Sequence, residues 1–189
     1  MRITIYGGSF NPIHNGHIRL AAYVLSHTDT DELWFVVTPR NPLKATDGLI
    51  DDSARLEMAR MAVADMPHVL VSDIEFTLPK PNYTADTLAA LAREYPEHTF
   101  SLLIGADNMA VFDRWRNYED ILRHHTVYVY PRSGSPLRVQ YPQMRVLSGA
   151  PLFPYSSTEI RAMIRQGKPV ADMLPVSVER YIVENKLYK

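Results

Sequence analysis

The sequence contains no cysteine. That excludes disulfide scaffolds, thiolate zinc sites, iron–sulfur clusters and cysteine nucleophiles, and leaves oxygen and imidazole as the available metal ligands. Charge of one sign is lacking too: 20 Lys and Arg stand against 21 Asp and Glu, a formal net charge of -1. No global basic field is present to drive nonspecific nucleic-acid binding. No run of about 18 apolar residues occurs. Met1 leads straight into Arg2-Ile3-Thr4-Ile5-Tyr6, without a basic flank and an apolar signal core. These absences point to a cytoplasmic protein with neither a nucleic acid nor a membrane as partner. What is present is ordinary for a globular chain: 189 residues, 46% hydrophobic and 22% charged. That length suits one domain, 1–189, able to bury roughly 70% of its unfolded surface.

The apolar pattern alternates between short continuous runs and helical spacing. Ile3 to Tyr6 is a run, followed by Ile18, Ala21, Ala22 and Leu25 at helical intervals. Leu33 to Val37 is the next, followed by the stripe Leu56, Ala59, Val63 and Met66. Val69 to Val71, Phe100 to Ile104 and Thr126 to Tyr130 continue the series, with a helix predicted over 84–95 that places Leu88, Leu91, Ala92 and Tyr95 on one face. Continuous apolar strands separated by amphipathic helices imply a parallel sheet covered on both sides. The fold class is therefore α/β, a doubly wound sheet, and chemistry is expected in the loops after Tyr6, Val37, Ile104 and Tyr130. A turn-rich stretch over 131–154 includes one further strand at Met144 to Leu147. Beyond it a small helical unit spans about 156–189. Ser156 and Glu159 have capping-box spacing, Gly167 stops that helix, and Pro175 opens the last one, with Val178, Tyr181 and Ile182 buried.

The first strand delivers Gly7-Gly8-Ser9-Phe10-Asn11-Pro12-Ile13-His14-Asn15-Gly16-His17, and a helix starts at once. The spacing matches neither the dinucleotide fingerprint nor a Walker A loop. It still suits a phosphate: glycines permit close backbone approach, and the helix start presents unpaired N–H groups with about half a positive charge. His14 and His17 lie at that same end. With an ordinary pKa of about 6.5, each can donate to a phosphate, and a bound anion favours the protonated form. A Gly-Gly pair alone also reads as a tight turn, and two histidines three apart also suit a metal or the surface.

The whole string resembles the signature of the nucleotidyltransferase superfamily, Gly-x-Phe-[Asp/Asn]-Pro-x-His-x-Gly-His. Within it, Asn82-Tyr83-Thr84-Ala85-Asp86-Thr87-Leu88, Ile104-Gly105-Ala106-Asp107, Tyr155-Ser156-Ser157-Thr158-Glu159-Ile160-Arg161 and the closing Leu187-Tyr188 resemble the bacterial nicotinate-nucleotide adenylyltransferases. The resemblance runs the length of the chain. It implies a Rossmann-like fold and the reaction of ATP with nicotinate mononucleotide, giving nicotinate adenine dinucleotide and pyrophosphate in NAD biosynthesis. Mg²⁺ would be bound mainly through the ATP phosphates, with no metal site in the protein itself.

Carried onto this sequence, the resemblance assigns His14, His17, Lys44 and Arg161 to catalysis. Gly7, Gly8, Ser9, Phe10, Gly105, Asp107, Arg132, Ser156, Ser157 and Thr158 join them around ATP. Asn11, Tyr83, Thr84, Trp115 and Arg116 fall to the pyridine nucleotide, with Trp115 stacked on its ring. Plainer roles stay open: Ser156 and Asp107 as helix caps, Lys44 as a solvated loop residue, Arg132 in a turn, Trp115 as partial core. Three departures stand out. Asn41-Pro42-Leu43-Lys44 replaces Pro-Pro-His-Lys, Arg116 replaces an aromatic, and Asn11 replaces the commoner Asp. Rival readings are transfer to nicotinamide mononucleotide or another phosphate acceptor, and a nucleotide-binding regulatory module without turnover. Association of copies is left open.

Overall fold

The computed structural model describes residues 1–43, 48–136 and 140–189. Strands β1 (Arg2–Gly8), β2 (Glu32–Val37), β3 (Val69–Ser72), β4 (Thr99–Gly105), β5 (Val127–Tyr130) and β6 (Met144–Val146) form one six-stranded sheet. Its order is β3-β2-β1-β4-β5-β6, and every neighbouring pair is parallel. This is the Rossmann order, with the chain turning in opposite directions from β1. Helices α1 (Asn15–His27), α2 (Asp52–Val63), α3 (Thr84–Glu94), α5 (Tyr118–His124), α6 (Ser157–Arg165) and α7 (Val176–Glu184) surround it, with one further turn, α4, at Ala106–Met109. Among the described residues, no helix is long and apolar enough to cross a membrane.

The sheet is covered on both faces because successive strand residues point opposite ways. Tyr6, Leu33, Phe35, Val37, Leu103 and Tyr128 pack on one side with Leu20, Ala21 and Val24 of α1, Ala59 of α2, Ile160 of α6 and Val178 and Ile182 of α7. Ile3, Ile5, Trp34, Val36, Leu102, Ile104 and Val129 pack on the other with Leu88 and Leu91 of α3 and Ile121 of α5. Each large side chain buried in this way contributes about 1.5–3 kcal/mol.

Several expected details shift. In α1 the buried set is Leu20, Ala21 and Val24, while Ala22 is exposed. Residues 17, 20, 21 and 24 share one face at i, i+3, i+4 and i+7, so the face that grips the sheet also carries His17. Ala92 is exposed in α3, where Ala90 is buried instead. Met66 lies beyond the end of α2. Pro175 is the N-cap of α7 rather than its first helical residue, and Tyr181 is only half-buried. The Ser156 cap forms as expected: its Oγ accepts from the Glu159 N–H at 3.3 Å and donates to the Glu159 carboxylate at 2.8 Å. Gly167, at φ +67°, follows the end of α6 in the left-handed conformation that stops a helix.

Candidate active site

The sheet opens where β1 meets β4. Pairing between them runs from Arg2 with Thr99 to Ile5 with Leu102, whereas pairing of β1 with β2 continues to Gly8 with Val37. From Tyr6 onward β1 therefore parts from β4, and a cavity of about 450 Å³ fills the gap. Its wall carries Gly7 to Asn11, His14, His17, Gly105, Asp107, Arg132, Ser156 to Thr158 and Arg161, together with Thr84 and Trp115. A second cavity of about 260 Å³ shares His14, His17, Arg132 and Ser156 with the first. Two compartments thus meet at the histidines.

His14 is the N-cap of α1, and its backbone N–H donates to His17 Nδ1 at 3.1 Å. That bond makes Nδ1 an acceptor and leaves the proton of a neutral His17 on Nε2. The two imidazoles stack at 3.6 Å, inclined by 23°. His17 also meets Tyr6 and Phe10 edge-on. Burial, with Arg132 adding to it, pushes the His14 pKa from 6.5 down to about 4, so His14 is neutral near pH 7. The ordinary value expected from sequence does not hold, because the N-cap position and its stacked neighbour remove this ring from water. His14 Nδ1 is buried without a hydrogen-bond partner. Gly16 is required beside it: a Cβ there would come within 2.8 Å of the His14 ring and 3.0 Å of Phe153.

The start of α6 brings to the same cavity Ser157, whose Oγ donates to the Pro12 carbonyl at 2.9 Å, and Thr158. Arg161, one turn on, donates from Nη1 to the Asn11 carbonyl at 2.8 Å, and its Nε is buried without a partner. Burial lowers its pKa from 12.5, and it remains a cation. Arg132 stands 3.7 Å from Asp107. Gly105 caps α4 beside them, and any Cβ at that position would strike the Asp107 carboxylate and approach Arg132 Cγ to 3.0 Å. Asp107 lies in the first turn of α4 and is not its N-cap residue. Gly7 faces open space: nothing lies within 4 Å of the point where a Cβ would stand.

Most of the residues singled out in the sequence meet in this one place. Tyr83 and Arg116 do not. Tyr83 is the N-cap of α3 with the Arg116 guanidinium 4.9 Å over its ring, and Arg116 is exposed and bridges to Asp86 at 3.3 Å. The arginine is drawn to that carboxylate and ring rather than to the cavity. Asn11 lies on the wall, and its side-chain amide donates to the Gly48 carbonyl and accepts from the Tyr188 hydroxyl, each at 2.8 Å. Trp115 packs against Phe112 at 5.0 Å with its Nε1 buried and unpartnered, so it is both partial core and cavity wall. Lys44 lies outside the described residues.

Sequence reasoning missed two buried charges. Arg55 of α2, 0% exposed, donates to the carbonyls of Ser9 at 2.6 Å, Thr38 at 2.8 Å, Ile50 at 3.2 Å and Pro39 at 3.3 Å, and bonds Asp52 at 2.5 Å. It ties the loops after β1 and β2 together. Glu75 also lines the cavity; its Oε1 accepts from Thr87 Oγ at 2.7 Å, while its Oε2 is buried without a partner. Burial raises its pKa above 4.5. The only sequence signal for Arg55 is its place beside the apolar stripe of α2; Glu75 carries none.

A 3-2-1-4-5-6 sheet whose cleft gathers imidazole, guanidinium and hydroxyl donors over the first strand defines a nucleotide-binding α/β protein. The chain belongs to the cytidylyltransferase-like family, whose model matches residues 5–163. It is 46% identical over 193 residues to a protein of Flavobacterium johnsoniae described as a probable nicotinate-nucleotide adenylyltransferase, covering 100% of both chains. A protein of Bacteroides fragilis with the same description is 43% identical over 181 residues, 95% of this chain and 90% of its own. Among solved structures, a Plasmodium falciparum nicotinic acid mononucleotide adenylyltransferase complexed with NaAD shares the fold, with a TM-score of 0.82. That match has 20% identity over 99% of this chain and 97% of the other.

Proposed function

We infer that the chain transfers the adenylyl group of ATP to nicotinate mononucleotide, releasing pyrophosphate and forming nicotinate adenine dinucleotide. The carrying observation is the stacked His14–His17 pair at the junction of two cavities, with Arg161 on the wall of the first. In this reaction a phosphate oxygen of the mononucleotide attacks the α-phosphorus of ATP, and the bond to the β-phosphate oxygen breaks. Both partners are anions, so catalysis is a matter of gathering positive charge and donors around them. His17 Nε2, the start of α6 and Arg161 supply such donors, and Arg132 adds charge, with Lys44 given the same role by the resemblance. A triphosphate beside His14, neutral in the protein alone, favours its protonated form. No covalent intermediate with the protein is needed.

The acceptor side is assigned to Thr84, at the start of α3, and Trp115, whose ring offers a flat apolar surface to a pyridine. Asp107 and Gly105 suit the ribose and base of ATP. Among the described residues, no group of three or more acidic, His or Cys side chains stands ready to hold a metal. The donor set around the histidines suits anionic oxygens instead, which fits Mg²⁺ carried on the triphosphate, where it would neutralise the departing pyrophosphate.

The test is pyrophosphate release by purified protein with ATP and Mg²⁺, offered the acid or the amide mononucleotide, with the product identified by mass. Strong preference for the acid is expected. Preference for the amide, or turnover with neither, overturns the assignment.

A further inference from the structure

Three hydrogen bonds of 2.8 Å converge on Asn11, on the cavity wall. Its Nδ2 donates to the Gly48 carbonyl, its Oδ1 accepts from the Tyr188 hydroxyl, and its backbone carbonyl accepts from Arg161 Nη1. Asn11 is 5% exposed and Tyr188 7%, so bulk water does not replace a lost partner. The node joins the signature loop to the turn at Gly48, to α6, and to a residue 177 positions further along the chain. An amide suits it where a carboxylate does not, because it offers a donor to the Gly48 carbonyl and an acceptor to the phenol at once. Tyr188 and Arg161 are near enough to interact electrostatically.

We propose that Tyr188 is a positioning residue for adenylyl transfer: its hydroxyl locks the Asn11 amide and so keeps the Arg161 guanidinium turned to the cavity. This rests on the functional reading above, in which Arg161 binds phosphate. The physical reason is competition for donors. Without the phenol proton, Asn11 Oδ1 is a buried acceptor with nothing to accept, a costly state that the structure relieves by any available rotation. The guanidinium already held by the same residue has a buried, unpartnered Nε. Capture of Arg161 by the Asn11 side chain draws it off the phosphate wall and leaves the fold in place.

The experiment compares kcat and KM for the wild type, Tyr188→Phe, Arg161→Ala and the double variant, each assayed below its own melting midpoint. Phe keeps the ring and deletes one oxygen. Tyr188→Phe is expected to lower kcat about tenfold, as misplacement of a phosphate-binding group does, with KM for the mononucleotide nearly unchanged. The double variant is expected to be no slower than Arg161→Ala, because the tyrosine acts through the arginine. Multiplying losses in the double variant, or a normal kcat for Tyr188→Phe, overturns the proposal while leaving the functional reading intact. Full activity of Arg161→Ala overturns the role of Arg161 and the proposal with it, and a wild type that releases no pyrophosphate overturns the functional reading as well.

Discussion

His14 couples stability to pH, and the size of the coupling follows from its setting. In the unfolded chain its imidazole titrates at the ordinary 6.5; in the fold, burial and the charge of Arg132 bring it to about 4. Between those values the unfolded chain binds a proton that the native protein refuses, so stability falls as the pH falls. At about 1.4 kcal/mol for each tenfold change in proton affinity, the loss is about 2 kcal/mol at pH 5 and about 3 kcal/mol once the pH is below 4. Urea unfolding at pH 7.5 and pH 5 measures it, with His14→Gln as the reference because its amide does not titrate. Burial also lowers the pKa of His125, but that contribution is common to both proteins and cancels in the difference. The wild type should lose about 2 kcal/mol more than the variant over this interval. Equal losses would refute the claim that His14 is held neutral. Saturating ATP should shrink the gap, since a triphosphate beside the ring favours imidazolium.

His17→Ala should lower turnover by roughly 10²-fold or more, through loss of a donor to the transferring phosphate, with an unchanged circular dichroism spectrum. A well-folded variant with near-normal turnover would remove His17 from the chemistry. Arg55→Met removes the guanidinium donor from the carbonyls of Ser9, Thr38, Pro39 and Ile50 and leaves Lys80 alone on the Asp52 carboxylate. It should cost about 3–5 kcal/mol in urea unfolding, and a loss below about 1 kcal/mol would contradict the role of Arg55 as the tie between the two loops. Glu75 has its pKa raised above 4.5 by burial, so its contribution to stability is present below pH 4.5 and is lost as the pH rises through its native value. Glu75→Gln should therefore melt higher than the wild type at pH 8 and show no such gain at pH 4; the same difference at both would show that Glu75 does not titrate in this way.

The strands were legible because a sheet buried on both faces selects continuous apolar runs, and the runs at Ile3, Leu33, Phe100 and Thr126 each became a strand. The Ser156 cap was legible because its partner lies three residues away. The burial of Ala22 and Ala92 was misplaced because alanine, small and indifferent, marks a helix face weakly. The position of Arg116 off the cavity was not legible for a different reason: the Asp86 carboxylate that holds it sits on α3, 30 residues earlier. The neutral state of His14 and the burial of Arg55 and Glu75 follow from enclosure by several segments at once, which no local pattern records.

The sequence by itself determined the α/β class and the glycine–histidine string that sets His14 and His17 at the start of a helix. Each strand, helix face and motif behind these rests on spacing within a short segment, where the backbone sets the geometry, and the class follows from their alternation along the chain. Only the tertiary structure decided which face of α1 grips the sheet, that Asn11 is a structural node, and that Tyr83 and Arg116 stand off the cavity. It also decided that Tyr188 meets Asn11. Those outcomes depend on hydrogen bonds and charges brought together from distant segments and shielded from water, and the energy of such a contact depends on everything that surrounds it.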